Sequence, residues 1–256
     1  NYSLPLNPTT TTTTYDASLV PTTVTVATPS YIMAGAVVNW AMGSLTNNIA
    51  VSSDGITWSQ VSSNMINNNN VNSVAYVNGL WIAVGANAGN AISTSSDGYT
   101  WTVTPHTFYF SGQAITYGNG LWVIAGESDG GNSFVTSSNA INWTPRGTNI
   151  FSYLQQNGLA FGNGRWVAVG QGHPTNANSI ATSTDGINWG SITGTTIFGT
   201  GYAIAYGQDA SGAGLWVAVG TGANQIATST NGTTWNGLGS PFNRLYDVAY
   251  GKDGYG

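Results

Sequence analysis

A pattern of alternating apolar and polar residues recurs along the chain with a period of 41 to 50 residues. A typical unit starts with a β-prone stretch such as Val74-Ala75-Tyr76, turns at an Asn-Gly pair or a Gly-rich segment, and continues into an apolar run that ends in glycine. Asn-Gly supplies the two positive-φ residues of a type I′ hairpin. A third stretch of the Ile-Ala-Thr-Ser type follows, and a polar turn leads to a tryptophan-bearing stretch. Each unit therefore predicts four short antiparallel strands.

Two landmarks define the repeats, and all ten tryptophans of the chain fall in them. The first landmark is the apolar second strand, which covers residues 40–43, 81–85, 122–126, 166–170 and 216–220. The second is a polar turn of the type Asp-Gly-x-Thr-Trp, which carries Asp54, Asp97, Asn139, Asp185 and Asn231. Such regular placement indicates a structural role for tryptophan rather than scattered binding sites.

Four antiparallel strands in each of five units predict an all-β fold, a β-propeller with five complete four-stranded blades. Residues 245–251 repeat the first-strand pattern, so we also expect the first strand of a sixth blade. The repeats fall at about 31–70, 71–111, 112–156, 157–200, 201–243 and, in part, 244–256. A helical solenoid is excluded because no segment has a 3.6-residue period.

Residues 1–30 form a separate arm that is rich in threonine and proline and contains no glycine. We expect one strand at 22–28, which is a candidate for donation to an incomplete blade. The arm carries a run of six candidate O-glycosylation sites: Thr9, Thr10, Thr11, Thr12, Thr13 and Thr14. An unmodified extended linker is the alternative. A lone sixth strand leaves three outcomes open: the chain is truncated, the arm folds back as the closing strand, or another subunit supplies the missing strands.

The Ser-x-Asp-Gly-x-Thr-Trp turns resemble those of the Asp-box (bacterial neuraminidase repeat) propellers, with one residue fewer between Asp and Gly. The form is similar to short-repeat propellers of bacterial surface, phage and giant-virus proteins, and the resemblance covers about 225 residues. We expect the turn Asp and Asn side chains to accept hydrogen bonds from backbone N–H groups of their own turn. We expect the motif tryptophans to wedge between blades; these are Trp58, Trp101, Trp143, Trp189 and Trp235.

Charge is scarce, because only 13 of 256 residues are Asp, Glu, Lys or Arg and the net charge is −5. Four basic residues cannot form a phosphate-binding face, so we expect no nucleic-acid partner. The sequence contains no run of about 18 apolar residues, so we expect no membrane span. A sialidase of the resembling family would need three arginines around the substrate carboxylate, whereas Arg146, Arg165 and Arg244 are scattered and Glu127 is the single glutamate. We therefore expect no enzyme, no cofactor and no metal site.

Two function classes remain. The first is an extracellular structural or interaction protein that assembles with copies of itself, into a filament or surface layer, by strand exchange between the arm and the incomplete blade. The alternative is a carbohydrate-binding propeller, either lectin-like or a viral or phage receptor-binding head. Its candidate ligand contacts are the aromatic residues of the loops that enter each first strand: Phe108, Tyr109, Phe110, Tyr153 and Phe198.

Overall fold

The computed structural model describes residues 9–15, 21–27, 31–34, 49–53, 56–61, 71–85, 91–106, 110–152, 158–173, 178–192, 197–209, 211–242 and 245–250. Within these residues every regular element is a strand, apart from one turn of 3-10 helix at Asp129–Gly131. No helix in the described ranges has the length and apolar character needed to cross a membrane. The all-β prediction is confirmed.

Four repeats form four-stranded antiparallel sheets in which the strands pair in chain order. The second blade contains β6 (Val71–Val77), β7 (Leu80–Gly85), β8 (Ile92–Ser95) and β9 (Thr102–Val103). The third contains β10 (Phe110–Gly118), β11 (Leu121–Ser128), β12 (Asn132–Ser137) and β13 (Thr144–Thr148). The fourth contains β14 (Gly158–Gly162), β15 (Arg165–Val169), β16 (Ile180–Ser183) and β17 (Gly190–Ser191). The fifth contains β18 (Thr200–Gln208), β19 (Gly214–Thr221), β20 (Ile226–Ser229) and β21 (Asn236–Gly237).

The Asn-Gly pairs form the tight hairpins that their residue types predict. Asn78 and Gly79 have φ values of 53° and 82°, and the pairs at 119–120 and 163–164 are also positive at both residues. Across each hairpin the first-strand aromatic packs on the second-strand tryptophan, with ring centroids 4.4 to 4.8 Å apart. These cross-strand pairs fix the register of each blade.

The first blade has three strands in the described part of the chain: β3 (Tyr31–Ala34), β4 (Ile49–Ser52) and β5 (Ser59–Val61). Tyr31 pairs with Ser52 as Trp81 pairs with Ser95, so β3 occupies the second-strand position. This corrects the assignment of that strand to residues 40–43, which lie outside the described residues. The sequence pattern favours the Trp40 run because Tyr31 stands where the other repeats have tryptophan.

The arm folds on itself in this structure. β1 (Thr9–Tyr15) and β2 (Pro21–Ala27) form an antiparallel two-stranded sheet, with Thr9 opposite Ala27 and Tyr15 opposite Pro21. By sequence, β2 has the spacing of a first strand, but Thr28-Pro29 replaces Asn-Gly before Tyr31. Proline fixes φ near −65° and cannot adopt the second positive φ of the hairpin. The pairing of β2 with β1 is consistent with that sequence difference.

The hydrophobic core is divided among the interfaces between blades. One cluster joins the first and second blades, and another joins Ile82 and Ile92 of the second to Ile124 and Trp122 of the third. Two further clusters join the third to the fourth blade and the fourth to the fifth. A single twisted sheet buries its faces only against its neighbours, so each blade depends on the next for its core.

Candidate functional site

A cavity of about 460 Å³ lies where the first strands of the blades converge. Strands β6, β10, β14 and β18 each contribute two or more lining residues, and residues 246 and 247 contribute the remainder. We call it the central cavity. Its size falls within the usual range of small-ligand pockets.

A β-bulge recurs at the point where the first strands meet this cavity. The register between first and second strands shifts at Asn72 in the second blade, Gln113 in the third and Tyr202 in the fifth. All three bulged residues line the cavity. A bulge leaves one residue out of the ladder and re-aims its side chain, and such bulges are common beside functional sites.

The lining combines amides, aromatic rings and a single carboxylate. Tyr202 stacks on Tyr246 with ring centroids 5.4 Å apart and an interplanar angle of 25°. The amide nitrogen of Asn72 donates a 2.8 Å hydrogen bond to the carbonyl oxygen of Gly112 in the next blade. Asp247 is the one carboxylate among the described lining residues, which include no Lys, Arg or His. The cavity therefore favours uncharged polar groups and flat apolar faces over anions.

The sequence offers none of these lining residues as ligand contacts when they are read singly, although the repeats carry a signal for four of them. Asn72, Gln113, Tyr202 and Tyr246 each stand four residues before the first-strand aromatic, as Asn72 does before Tyr76. In every repeat from the second onward, the residue at that position has a side chain that can form hydrogen bonds. Alignment of the repeats on this aromatic would have exposed the series.

The polar turns between third and fourth strands form a repeated hydrogen-bond network. In the fourth blade the Ser183 hydroxyl donates to Asp185 Oδ1 at 2.9 Å and accepts the N–H of Gly186 at 2.8 Å. Asp185 Oδ1 in turn accepts the N–H groups of Ile187 and Asn188, each at 2.8 Å. The second blade repeats the pattern with Asp97. Asp54 lies outside the described residues.

In two of the turns asparagine accepts the same backbone hydrogen bonds as aspartate does in the others. Asn139 Oδ1 accepts the N–H groups of Ile141 and Asn142 at 3.0 and 2.9 Å, and Asn231 accepts two in the fifth blade. The serine that completes each network stands two residues before the Asx, at the buried end of the third strand. These side chains therefore cap turns. No group of three potential metal-ligating side chains occurs among the described residues.

Hydrogen bonding lowers the pKa values of the turn carboxylates. The backbone N–H of Asn188 is the largest influence that holds the pKa of Asp185 well below its usual value, and the Asn188 amide, the Ile187 N–H and the Ser183 hydroxyl add to it. At Asp97 partial burial raises the pKa, but donors from Thr100, Tyr99 and Ser95 outweigh it and the pKa is lowered. Both carboxylates remain ionised near neutral pH.

Four of the five motif tryptophans lie at the interfaces between blades, and Trp58 of the first blade is partly buried. Trp189 stacks on Phe134 of the preceding blade, with ring centroids 3.8 Å apart and an interplanar angle of 10°. Trp101, Trp143 and Trp235 lie in the corresponding interface clusters. The indole N–H groups of Trp101, Trp189 and Trp235 donate to the carbonyl of their own turn glycine. Trp143 has no such partner, and its turn carries Ala140 in place of glycine.

The structure corrects two of the aromatic residues that the sequence offered as ligand contacts. Phe110 and Phe198 are 0% and 1% exposed, respectively. Each packs in an interface cluster, and the N–H of Phe198 donates to the buried Ser179 hydroxyl at 3.0 Å. Phe110 and Phe198 pack between two blades instead of facing solvent, because the segment that leads into a first strand crosses the interface between those blades. Phe108, Tyr109 and Tyr153 lie outside the described residues.

The charged residues considered for catalysis are dispersed. Arg146 lies in β13, and its Nε donates to Thr136 Oγ1 at 3.3 Å. Arg165 begins β15 and its side chain lies close to Gly232 in the turn of the fifth blade. Glu127 belongs to β11. None of the three lines the central cavity, and Arg244 is outside the described residues.

Comparison with known proteins identifies the fold. No family model matches the chain, and no curated protein matches it. Virginiamycin B lyase from Staphylococcus aureus has a similar structure, with a TM-score of 0.60 and 14% identity over 91% of this chain and 78% of that chain. A chain of the nidogen/laminin complex gives a TM-score of 0.57 at 12% identity, covering 86% and 82%.

The GH74 enzyme of Niastella koreensis gives a TM-score of 0.52 at 17% identity over 76% of this chain, which spans only 29% of that enzyme. Such low identities show the fold alone. This chain is a β-propeller, and its structural neighbours include enzymes as well as binding proteins.

Proposed function

We propose that this propeller is a non-enzymatic binding protein that takes a neutral saccharide in its central cavity. The observation that carries the proposal is the recurrent bulge, which brings Asn72, Gln113 and Tyr202 from different blades to one cavity. A structural ring needs no such irregularity, because regular pairing would satisfy every backbone group of the hairpin.

The ligand class follows from the lining chemistry. A sugar ring presents hydroxyl groups at its edge and C–H groups on its faces. Asn72, Gln113 and Asp247 offer donors and acceptors for the hydroxyls, and Tyr202 with Tyr246 offers aromatic surface for the faces. The absence of a basic side chain from the described lining disfavours sialylated or phosphorylated ligands.

Binding without hydrolysis is supported by the carboxylate count. Glycoside hydrolysis generally uses two carboxyl groups that flank the scissile bond about 5 to 9.5 Å apart. Among the described lining residues Asp247 is alone. Incubation of the protein with a bound oligosaccharide should release no shorter product, and steady release of product would overturn the non-enzymatic part of the proposal.

The binding test is a glycan array of neutral and anionic glycans, followed by calorimetry with the best neutral oligosaccharide. Replacement of Tyr202 by alanine should weaken binding about tenfold, because loss of one stacking face removes roughly 1.4 kcal/mol. Tyr99→Ala is the matched control, since Tyr99 is an exposed tyrosine of a polar turn and does not line the cavity. No neutral glycan bound, or equal loss in both variants, would refute the site.

We also assign the polar turns to a short variant of the Asp-box and place the protein outside the cell or on a virion surface. The Ser-Asx-glycine network supports the first assignment. The threonine run supports the second. Intact mass of the protein from its native source tests the glycosylation of the run at 9–14: added hexose or N-acetylhexosamine masses support it, and an unmodified mass contradicts it.

A further inference from the structure

The face of the fifth blade that points away from the fourth blade is more exposed to solvent than the corresponding face of the third and fourth blades. Val123 and Val167, on the second strands of the third and fourth blades, are fully buried. Val217, at the same position of the fifth blade, is only half-buried, and the neighbouring Leu215 is 43% exposed. Both line a largely apolar cavity of about 300 Å³.

The complete interfaces show what normally covers this face. A Cβ on Gly186, in the turn of the fourth blade, would stand 2.7 Å from Leu121 and 3.2 Å from Val123 of the third. Gly232 meets Arg165 and Val167 in the same way at the next interface. The uncovered face of Leu215 and Val217 is therefore shaped for the polar turn and tryptophan of another blade.

Residues 245–250 already occupy the first-strand position beside this face. A Cβ on Gly118 would collide with the Phe161 ring of the next blade, and one on Gly162 would collide with Tyr206. Gly207 has the same relation to Tyr250, whose hydroxyl also donates to the Gln208 carbonyl. Yet 245–250 pair with no strand in the described residues.

The first blade has the complementary deficiency. Its strands β3, β4 and β5 hold the second, third and fourth positions, and the first position is vacant among the described strands. β3 lies against β6 of the second blade. Residues 246 and 247 line the central cavity together with Asn72 and Ser73 of β6 and with residues of the first strands of the third, fourth and fifth blades.

We propose that residues 245–250 are the first strand of the first blade, and that this blade docks on the open face of the fifth blade of the same chain. The result is a closed five-bladed ring. Because residues 246 and 247 share the central cavity with β6, and β6 contacts β3, closure within the chain needs no second copy. This inference is independent of saccharide binding, since it concerns strand pairing alone.

The repeat register specifies the contact to be tested. Ala75 pairs with Ile82 and Tyr76 with Trp81 in the second blade. Tyr250 corresponds to Tyr76 and Tyr31 to Trp81, so Ala249 should stand opposite Ile32. Directly opposed residues of antiparallel strands are within the range that a disulfide spans. The chain contains no cysteine, so a double variant Ile32→Cys/Ala249→Cys has no competing thiol.

Mild oxidation of the full chain should give an intramolecular disulfide in a monomer, detected by non-reducing electrophoresis and intact mass. The control Ile32→Cys/Val248→Cys shifts the register by one residue and turns the thiol to the opposite face, so its yield should be at least tenfold lower. Disulfide-linked dimers or ladders would overturn closure within the chain and favour strand exchange between copies. Equal yields in the two variants, or no disulfide in either, would overturn the pairing.

Thiol labelling gives a second readout that does not require a disulfide. A Leu215→Cys variant should react with a maleimide at least tenfold more slowly than Ser211→Cys, because the docked blade covers position 215. Leu121→Cys is the reference for a covered position of the same type. Labelling of position 215 as fast as position 211 would contradict docking even if the cysteine pair disturbed folding.

Discussion

Replacement of Gly186 by alanine tests whether the polar turns set the spacing between blades. Gly186 has a φ of 71°. Its carbonyl accepts a 2.9 Å hydrogen bond from the indole N–H of Trp189 in the same turn. A Cβ at this position would meet Leu121 Cδ2 at 2.7 Å, with Trp166 Nε1 and Val123 Cγ2 both at 3.2 Å. The substitution therefore strains both the turn and the interface.

Two destabilising effects and one stabilising effect determine how much Gly186→Ala changes the free energy of unfolding. A left-handed alanine costs roughly 1 to 2 kcal/mol relative to glycine, and forcing a methyl group into a packed interface costs roughly 1 to 3 kcal/mol. The lower entropy of the unfolded alanine chain returns about 0.4 to 1 kcal/mol. The methyl groups of Leu121 can yield by a rotation of its side chain, so we expect a net loss of about 2 kcal/mol in the free energy of unfolding.

The assay is urea denaturation of the full chain, followed by tryptophan fluorescence. Gly190→Ala is the matched control, because Gly190 lies four residues away, has no positive φ, and has no atom within 4 Å of the place that an alanine methyl group would occupy. That variant should be neutral or slightly stabilised. In addition, Leu121→Ala should cost at least 0.5 kcal/mol less in the Gly186→Ala background, because the two residues compete for one space. A Gly186→Ala midpoint equal to that of Gly190→Ala would refute the account.

Three further predictions concern the same turns and interfaces. Ala140→Gly should change the free energy of unfolding by less than about 0.5 kcal/mol. Relief of a φ of 59° gains roughly 1 to 2 kcal/mol, and this is offset by loss of a buried methyl group worth about 0.8 kcal/mol and by about 0.4 to 1 kcal/mol from the higher entropy of the unfolded glycine chain. A change above about 1.5 kcal/mol in either direction on thermal unfolding would contradict this balance. Asp185→Asn should be nearly neutral at pH 7 and Asp185→Ala should be destabilising by about 1 kcal/mol, since only the former keeps an acceptor for the Ile187 and Asn188 N–H groups. Because the pKa of Asp185 is lowered in the folded state, its carboxylate stabilises the fold above the unfolded-state pKa of about 3.9, and this stabilisation is lost as the pH falls further. Wild type should therefore lose more stability than Asp185→Asn between pH 5 and about 2. Parallel stability profiles of the two proteins would contradict this prediction. Trp189→Ala should cost about 3 kcal/mol, the lower end of the range for a core tryptophan, because Trp189 is only partly buried. Trp189→Phe should cost less than half of that, because phenylalanine keeps a stacking face for Phe134. Equal melting temperatures of the two variants would argue against the stack.

The propeller fold was predictable because the same hairpin, strand and turn motifs recur in successive repeats of the sequence. Asn-Gly hairpins, β-branched second strands and capped turns recur together, so an error in one repeat is corrected by the others. The first repeat shows the limit of this reasoning. Tyr31 replaces the expected tryptophan, and the Trp40 run imitates a second strand, so the pattern alone chose the wrong segment.

The central cavity was not predictable from residue types taken one at a time. A bulge changes which way a residue faces without changing the residue, so Gln113 appears in sequence as an ordinary strand position. Conversely, Phe110 and Phe198 look exposed in the sequence because each lies at the approach to a predicted first strand, although Phe110 is the first residue of β10 in the structure. Their burial depends on the angle between two blades, which no local pattern contains.

The division of the core among interfaces has a consequence for how such a chain changes in evolution. Every repeat carries one half of the interface before it and one half of the interface after it. A gene duplication that adds a whole repeat therefore brings both matching halves with it, and no existing contact has to be redesigned. A substitution within one repeat, in contrast, has its compensating partner in the neighbouring repeat, 55 residues away for Phe134 and Trp189. Variation in this architecture should be easiest in blade number and slowest at positions such as Phe134 and Trp189, which can change only together.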